Sequence, residues 1–364
     1  MSDGKDLSKL YFLCSVARIT DFATSSFDVG ALPRDDWDTG DYIATRVIGK
    51  PNRHYKLELP NGRVMSVMEG DLAVGALGKR AATLEGVGDW EAIGEDGLLH
   101  ALTGAGLFGK ATSMAPLLPD LMSLTYLGHV MRDGKKLNMR DFVTPVPGAE
   151  LEAPVVLLVG TSMSAGKTTT GRVIIHEMKK VGLRIVGAKL TGAARYRDVL
   201  TYGDAGADAI VDFVDAGLPS TVVPTPRFRE AMDHMLAHIA ALGPDLVVAE
   251  AGASPIEPYN GETAISALHK RIAFLVLSAS DPYAVVGVQT AFGLVPNLVT
   301  GPAANTTSGI ELVRKLTGVP ALNLLDPSSL PTLRELLEDA MPKLLTEAFP
   351  QTDLNGRSNR LDPG

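Results

Sequence analysis

The sequence predicts an α/β protein whose C-terminal half is a mainly parallel sheet covered by helices, preceded by a smaller, mostly β N-terminal domain. Two observations support this fold class. Residues 38–139 read as short runs of alternating apolar and polar residues between turn dipeptides, the pattern of half-buried strands. Beyond residue 154, continuous aliphatic runs alternate with helix-length segments, which is typical of buried parallel strands joined by right-handed crossovers.

Two β-hairpins are the clearest elements of the N-terminal domain. The stretch HYKLELPNGRVMSVMEGD alternates apolar and polar residues on both sides of Asn61-Gly62, a dipeptide that accepts the positive φ angles of a tight turn. The stretch LMSLTYLGHVMRDGKKLNM turns in the same way at Asp133-Gly134. The first 35 residues show no clear periodicity, and we expect a short helix there that docks on either half.

The boundary between the two halves is predicted at residues 143–154, where prolines and a glycine interrupt both patterns. We therefore expect a β domain over residues 1–150, an α/β domain over 151–350 and a flexible polar tail over 351–364. The C-terminal strand candidates are VVLLVG, RIVGAK, STVV, DLVVAE, AFLVLS, NLVTG and PALNLL, and the helix candidates are TTTGRVIIHEMKKVG, REAMDHMLAHIAAL and GIELVRKLTG.

Composition and charge narrow the class of protein. The 364 residues are 45% hydrophobic and 21% charged with a net charge of −8, which is ordinary for a folded globular chain. Lysines and arginines are scattered along the chain, so we expect no nucleic-acid partner. No apolar run approaches the roughly 20 residues of a membrane helix, and the N-terminus lacks the residue order of a signal peptide. These features predict a cytoplasmic protein without a membrane partner.

A phosphate-binding loop, or P-loop, is predicted at GTSMSAGKTT, because the segment directly follows a strand and opens a helix. The lysine of such a loop reaches the β- and γ-phosphate oxygens, and the hydroxyl that follows it coordinates Mg²⁺; here these are Lys167 and Thr168. The predicted nucleotide-binding residues of the loop are Gly160, Thr161, Ser162, Met163, Ser164, Ala165, Gly166, Lys167, Thr168 and Thr169.

Residues at the ends of later strands complete the predicted site. A Mg²⁺-nucleotide site usually takes one further carboxylate from a strand end, and Glu250 follows four apolar residues. Lys189 ends the strand after the P-loop helix, where it would point into the same crevice as Lys167. Asp204 and Asp208 were the alternatives for a further metal ligand at the following helix start, and Asp208 is our choice. The predicted catalytic residues are Lys167, Lys189 and Glu250, and the predicted metal ligands are Thr168, Asp208 and Glu250.

Over about residues 154–325 these motifs resemble the dethiobiotin synthetase and cobyrinic acid amide synthase branch of P-loop proteins. The resemblance implies that Lys189 meets the reacting phosphoryl group or the substrate, and that Asp208 and Glu250 hold Mg²⁺. Ser162 stands where dethiobiotin synthetase has an aspartate. The chain is also similar to a P-loop family that includes D-glutamate N-acetyltransferase, through GAKLTG, GADAIVDFVDAG and AEAGASPIEPYNG.

The predicted substrate is a small polar or anionic molecule. Its crevice is expected to be formed by Arg195, Arg197, Tyr202, Glu257 and Tyr259. We expect ATP as the nucleotide, because the Asn-Lys-x-Asp motif of GTP-binding proteins is absent, and Asn305 is the candidate for reading adenine. The apolar faces of the C-terminal half and the habit of the similar families predict a homodimer.

The resulting hypothesis is a Mg-ATP-dependent ligase or small-molecule kinase that activates a carboxylate-type substrate by phosphoryl transfer. Two alternatives remain open at this point. One is a nucleotide-regulated switch or binding protein, like a metallochaperone, with the β domain as its recognition module. The other is an enzyme similar to an amino-acid N-acyltransferase, as the second resemblance implies.

Overall fold

The computed structural model describes residues 10–49, 56–252 and 254–344. It confirms the predicted fold class: a six-stranded, wholly parallel sheet flanked by helices follows an N-terminal region built mainly from antiparallel strands. Residues 143–154 link the two regions without a helix or strand. The predicted tail at 351–364 lies outside the described residues.

The N-terminal region is organised around a small barrel. Strands β3, β11, β9, β10 and β6 pair in that order, and β6 pairs again with β3, so the ring of pairings closes and occupies both edges of each strand. The strands of this region are β1 (Tyr11–Leu13), β2 (Asp28–Gly30), β3 (Tyr42–Val47), β4 (Lys56–Glu58), β5 (Val64–Ser66), β6 (Leu72–Leu77), β7 (Lys79–Ala82), β8 (Gly86–Asp89), β9 (Leu98–Ala101), β10 (Leu107–Met114), β11 (Ser123–Arg132) and β12 (Lys135–Lys136).

Both predicted hairpins are confirmed. Strands β4 and β5 flank the Asn61-Gly62 turn, where Gly62 has a φ of +81°. Strands β11 and β12 flank Asp133-Gly134, and both turn residues have positive φ, as a tight hairpin turn requires. The short helix expected within the first 35 residues is wrong for the described part of that segment. There β1 and β2 pair with barrel strands, and short 3₁₀ turns lie at 15–17 and 34–36.

The C-terminal region is a three-layer sandwich with strand order β15-β14-β16-β13-β17-β18. Along β13, Val156 and Leu158 enter one apolar layer, while Leu157 and Val159 enter the other, so both faces of the strand are buried. Its elements are β13 (Val155–Gly160), α1 (Lys167–Lys179), β14 (Ile185–Thr191), α2 (Tyr196–Asp204), β15 (Ala209–Asp212), α3 (Thr225–Ala241), β16 (Leu246–Ala251), α4 (Gly261–Leu268), β17 (Ile272–Ser278), α5 (Pro282–Phe292), β18 (Leu298–Thr300), α6 (Thr307–Thr317) and α7 (Leu330–Ala340).

Two predicted strands are wrong. STVV and PALNLL form only isolated bridges, at Ser220 and Ala321. Prolines flank STVV on both sides and cannot donate to a ladder, which keeps that segment from pairing further. The edge strand is instead β15, in a segment expected to begin a helix. Its residues Ile210 and Val211 pack into opposite apolar layers, which is the two-residue period of a strand.

The N-terminal region sits on the carboxyl edge of the parallel sheet. The buried Arg18 guanidinium pairs at 2.5 Å with Asp212, the last residue of β15, and at 2.8 Å with Asp215, just beyond it. The Glu58 carboxylate accepts hydrogen bonds from the backbone N–H groups of Tyr196 and Arg197, at 2.7 and 3.0 Å. Glu58 therefore caps the positive N-terminus of α2 from outside the α/β region, a contact of about 0.5–2 kcal/mol.

One buried apolar cluster runs from the barrel into the layer that contains α3, α4 and α5, so the two regions share a core. Parallel α/β sheets place their ligands at the carboxyl ends of their strands. The N-terminal region therefore covers the edge at which a ligand is expected. No helix within residues 10–49, 56–252 and 254–344 is long and apolar enough to cross a bilayer.

Candidate functional site

The predicted P-loop connects β13 to α1. Gly166 precedes the first helical residue with a φ of +97°, a conformation that strains any residue with a side chain. A Cβ at Gly160 would lie 2.7 Å from the Lys167 Nζ, because the lysine folds back across the end of β13. A Cβ at Gly301, just beyond β18, would lie 2.4 Å from the Ala165 carbonyl oxygen. Glycine is therefore required at Gly166 by the backbone conformation of the loop and at Gly301 by the close approach of a neighbouring segment to it.

Lys167 lies inside this loop and is almost fully buried. Its Nζ donates to the Ser162 carbonyl oxygen at 2.7 Å. Burial lowers the pKa of Lys167, an effect that the nearby Glu250 carboxylate opposes and the Lys189 ammonium strengthens. A buried ammonium held mainly by a neutral carbonyl is costly, and the free energy of the protein would fall if an anion took that place. With the N-terminus of the 13-residue helix α1, Lys167 forms an anion-binding site of the kind that binds phosphate.

A hydroxyl and a carboxylate meet beside the loop. Thr168 Oγ1 and the Tyr202 hydroxyl each donate to Glu250 Oε2 at 3.0 Å. The Tyr202 side chain is fully buried behind them and occupies space left by Gly171 and Gly187, where a Cβ would lie 2.6 and 2.7 Å from its nearest atom. Oxygen atoms of this kind suit Mg²⁺, so Thr168 and Glu250 fit the metal that a nucleotide would bring. Tyr202 positions Glu250 instead of lining a substrate crevice, as the sequence had suggested.

Lys189 lies at the end of β14, in register with Glu250 on β16 and Asp212 on β15. It is buried, and its Nζ donates to Asp198 Oδ2 at 2.8 Å. Burial alone would lower the pKa of Lys189, but the Asp198 and Glu250 carboxylates outweigh it and raise the pKa. Burial likewise acts to raise the pKa of Asp198, yet Lys189 and the neighbouring arginines lower it overall. Both members of this ion pair are therefore charged at neutral pH.

A cleft of about 560 Å³ opens between the two regions and brings these groups together. The α/β wall contains the P-loop residues 163–169 except Ala165, the strand residues Lys189 and Glu250, the α2 residues Arg197 and Asp198, and Arg195 directly before α2. The opposite wall is formed by Lys56, Glu58, Val64, Arg80, Glu85, residues 101–105 and residues 119–122. Sequence reasoning missed Asp198 and the whole of this second wall, because none of those residues forms a recognisable local motif.

The structure contradicts the choice of Asp208 as a metal ligand. Its carboxylate pairs with Lys179 Nζ at 2.8 and 3.0 Å and accepts the Ile185 N–H at 2.7 Å. These contacts lie at the amino edge of the sheet, since Asp208 precedes β15, whereas the P-loop follows the carboxyl end of β13. Asp204, the last residue of α2, lies toward the same far edge. The error follows from expecting a helix where the chain forms β15.

Three further predicted residues lie beside the cleft. Tyr259 and Glu257, expected in the substrate crevice, instead bind the N-terminal region. The Tyr259 hydroxyl accepts the Ala81 N–H at 2.8 Å, and Glu257 Oε1 accepts the Thr83 N–H at 3.1 Å. Asn305 is exposed and follows the 3₁₀ turn at 302–304, on the segment whose Gly301 touches the P-loop. Its contact with a base remains a prediction.

Fold and site together define the C-terminal region as an α/β domain with the P-loop NTPase fold. The assignment rests on the parallel sheet, the glycine-dependent loop between β13 and α1, the buried Lys167 and the Thr168–Glu250 pair.

No protein-family model matches the sequence, and no curated protein does. Among solved structures, chloroplast FtsY from Physcomitrella patens is 15% identical over 49% of this chain and 59% of that chain, with a TM-score of 0.35. A DUF1611 family protein from Anabaena variabilis is 21% identical over 55% and 63% of the two chains, with a TM-score of 0.36. Cell division protein FtsY from Thermotoga maritima is 17% identical over 50% and 65%, with a TM-score of 0.36. Each alignment spans less than two thirds of the solved chain.

Proposed function

We propose that the protein is a Mg-ATP-dependent ligase or small-molecule kinase that phosphorylates the carboxylate of a small anionic substrate. One observation carries the proposal: two buried lysines, Lys167 and Lys189, line the same cleft as the Thr168–Glu250 pair. Phosphoryl transfer needs little from a protein beyond positive charge and precise positioning around the transferred group. This cleft has both.

The reaction would begin with attack of a substrate carboxylate oxygen on the γ-phosphorus. The new O–P bond forms as the bond to the β,γ-bridging oxygen breaks, and that oxygen leaves with the electron pair on the nucleoside diphosphate. In a ligase, a nitrogen nucleophile then attacks the acyl carbon, inorganic phosphate leaves, and the nitrogen loses a proton. Lys167 would hold the β- and γ-phosphate oxygens, and Lys189 the transferred group. Thr168 and Glu250 would hold Mg²⁺, which would supply positive charge to the phosphate groups.

The cleft also supports an anionic substrate. Arg195 and Arg197 line the cleft together with Lys189. Arg195 directly precedes α2, and Arg197 is the second residue of that helix. A volume of about 560 Å³ lies within the range of small-molecule sites. Planar guanidinium groups can bind a carboxylate through two parallel hydrogen bonds, which fixes its orientation as well as its position. A small molecule with a second carboxylate is the substrate class that this wall favours.

A nucleotide-regulated switch is the second candidate. It is favoured by the direct hydrogen bond between the P-loop residue Ser164 and Glu85 of the N-terminal region, 2.9 Å long. A contact of this kind would report the state of the nucleotide site to the β region. The two candidates differ in their products. A ligase or kinase releases nucleoside diphosphate in quantity only when its acceptor is present, whereas a switch hydrolyses nucleotide slowly without one.

The test begins with thermal unfolding of the wild type and Lys167→Ala in ATP, GTP and ADP, with and without Mg²⁺. Mg-ATP should stabilise the wild type, by about 2.7 kcal/mol at a hundredfold excess over Kd. Lys167→Ala should lose that stabilisation. Lys180→Ala is the matched control, because Lys180 lies at the other end of the same helix and pairs on its surface with Glu177. Absence of any nucleotide effect on the wild type would refute the proposal, and acceptor-independent turnover would favour the switch.

A further inference from the structure

The hairpin formed by β7, the turn 83–85 and β8 lies over the P-loop, and we call residues 79–89 the capping hairpin. Four hydrogen bonds fasten it to the α/β region. The Ala81 N–H donates to the Tyr259 hydroxyl, the Thr83 N–H and hydroxyl both donate to Glu257 Oε1, and the Ser164 hydroxyl donates to Glu85 Oε1. The last contact places a carboxylate from the N-terminal region directly on the predicted phosphate-binding loop.

That carboxylate is shared. Glu85 accepts from Ser164 through Oε1 and pairs with the Arg80 guanidinium through Oε2. The Glu85 carboxylate therefore bridges Arg80 and the P-loop residue Ser164. An anionic group with two oxygen acceptors, held between a P-loop hydroxyl and a guanidinium, has the geometry that phosphate oxygens adopt between such donors. Glu85 occupies the position in which a phosphate group would be bound.

The cleft wall around Arg80 also has hydrogen-bonding capacity to spare. Arg80 Nη1 donates to the Leu102 carbonyl oxygen at 2.8 Å. Its Nε and the hydroxyl of Thr103 are buried and have no hydrogen-bond partner within the part of the chain that the structure describes. Both residues line the cleft opposite the P-loop. Buried donors normally find an acceptor, so these two groups indicate a ligand rich in acceptor oxygens.

We propose that Arg80 is a phosphate-binding residue of the nucleotide site, supplied by the capping hairpin, and that Glu85 is its placeholder in the free protein. This inference rests on the proposed function, and it assigns the second wall of the cleft to the nucleoside triphosphate. When the nucleotide enters, its phosphate oxygens replace the Glu85 carboxylate at Ser164 and Arg80, since two anions cannot share those donors. No covalent step is involved.

The exchange predicts opposite effects for the two members of one ion pair. Arg80→Gln removes a charged donor and should weaken Mg-ATP binding by about tenfold to a hundredfold, the range for charge-assisted hydrogen bonds. Glu85→Gln removes the competing anion and should tighten Mg-ATP binding by about tenfold. If the ion pair had only a structural role, Arg80→Gln and Glu85→Gln would change Mg-ATP affinity in the same direction. The affinity of the full-length chain for Mg-ATP, measured by titration calorimetry, distinguishes the two cases.

The matched control is Lys79→Gln on the same strand, because Lys79 pairs with Asp89 and Glu91 and does not line the cleft. It should leave Mg-ATP affinity unchanged within about twofold. If Arg80→Gln does not fold, Arg80→Lys keeps the charge, loses the fork of donors and should still weaken binding. The inference would be overturned if the arginine variants bound Mg-ATP with wild-type affinity, or if Glu85→Gln weakened Mg-ATP binding. The proposed function would still stand in that case, provided that Lys167→Ala abolished nucleotide binding. A wild type that binds no nucleotide would overturn both.

Discussion

The two walls of the cleft are assembled from different kinds of chain segments. The α/β wall is formed mainly by one continuous loop, of which residues 163–169 except Ala165 line the cleft, together with Lys189 and Glu250 on neighbouring strands. The wall of the N-terminal region gathers single residues from separate strands and turns, such as Glu58, Arg80 and Thr103. The first wall depends on local backbone geometry. The second depends on how two regions of the chain pack against each other.

This difference explains why residues that touch across the two regions are far apart in the sequence. Arg18 and Asp212 are 194 residues apart, and their side chains approach to 2.5 Å. Glu58 caps a helix that begins 138 residues later. The position of the second wall therefore depends on polar contacts and a shared apolar core between distant segments, whereas the P-loop depends on glycines within one turn. Substitutions can separate these two dependencies.

The largest effect is expected from Arg18→Ala. It leaves the Asp212 carboxylate, which is 1% exposed, beside Asp215 without the guanidinium that pairs with both. Breaking a buried ion pair by removing one partner costs about 3–5 kcal/mol of the free energy of unfolding. The measurement is chemical denaturation in the absence of nucleotide. We also expect weaker Mg-ATP binding in the folded fraction, since the second wall loses an attachment.

Arg132→Ala is the control for this prediction, because Arg132 pairs with Asp21 on the surface, where both side chains are about a third or more exposed. Exposed pairs contribute about 0–1 kcal/mol. Restoration of stability in Arg18→Ala by a second change, Asp215→Asn, would show that carboxylate repulsion is the cause. A loss in Arg18→Ala no larger than that of Arg132→Ala would show that the wall is held by its apolar core alone.

Lys189→Ala tests the α/β wall of the cleft. The Lys189 ammonium should matter most for the transferred phosphoryl group, and removing such a charge typically raises the barrier by about 3 kcal/mol, or about a hundredfold in rate. Nucleotide affinity should fall far less, because Lys167 and the loop remain. Steady-state turnover and calorimetric Kd measure the two quantities separately. Turnover equal to that of the wild type would refute the assigned role.

Loss of Lys189 also leaves the Asp198 carboxylate without its buried partner, so stability must be separated from chemistry. The double variant Lys189→Ala with Asp198→Asn removes the unpaired charge and should regain much of the stability. It should not regain turnover. Recovery of both together would mean that Lys189 acts only as a structural counterion.

The sequence predicted the P-loop and two strand-end residues of the α/β wall, but not Asp198. Lys167, Lys189 and Glu250 were found because each directly follows or ends an apolar run, and parallel strands bring such ends to one edge. The capping residues of the second wall could not be found in this way. Arg80 and Glu85 belong to a short polar hairpin with no motif, and their importance arises only from contact with Ser164. Charge alternation on a strand does not reveal which charge faces a distant loop.

The barrel shows the same limit within the fold. Its two hairpins were predicted from Asn61-Gly62 and Asp133-Gly134, because turn chemistry is local. The closure of the ring through the parallel pairing of β6 with β10 joins Ala76 to Leu107 and has no local signal. In the α/β region, a single misassigned segment at 209–212 was enough to put Asp208 at the wrong edge of the sheet.

The smallest effect, and the direct test of that correction, is expected from Asp208→Asn. Asparagine keeps an acceptor for the Ile185 N–H and loses only the partly exposed ion pair with Lys179, so the free energy of unfolding should fall by about 1 kcal/mol or less. The pKa of Asp208 is lowered, with the Lys179 hydrogen bond as the main cause. Its stabilising contribution is therefore complete above the unfolded aspartate pKa of about 3.9 and is lost as the pH falls through the lower folded value.

The wild type and Asp208→Asn should accordingly differ slightly in stability at neutral pH and converge in acid, while their Mg-ATP affinities stay the same throughout. Denaturation at several pH values and calorimetry at neutral pH measure these outcomes. Thr168→Ala provides the contrast, because Thr168 lies beside Glu250 at the carboxyl edge and should lose Mg²⁺-dependent binding. If Asp208→Asn instead weakened Mg-ATP binding as Thr168→Ala does, the metal site would extend to the amino edge of the sheet, and the division of the molecule into a ligand edge and a structural edge would be wrong.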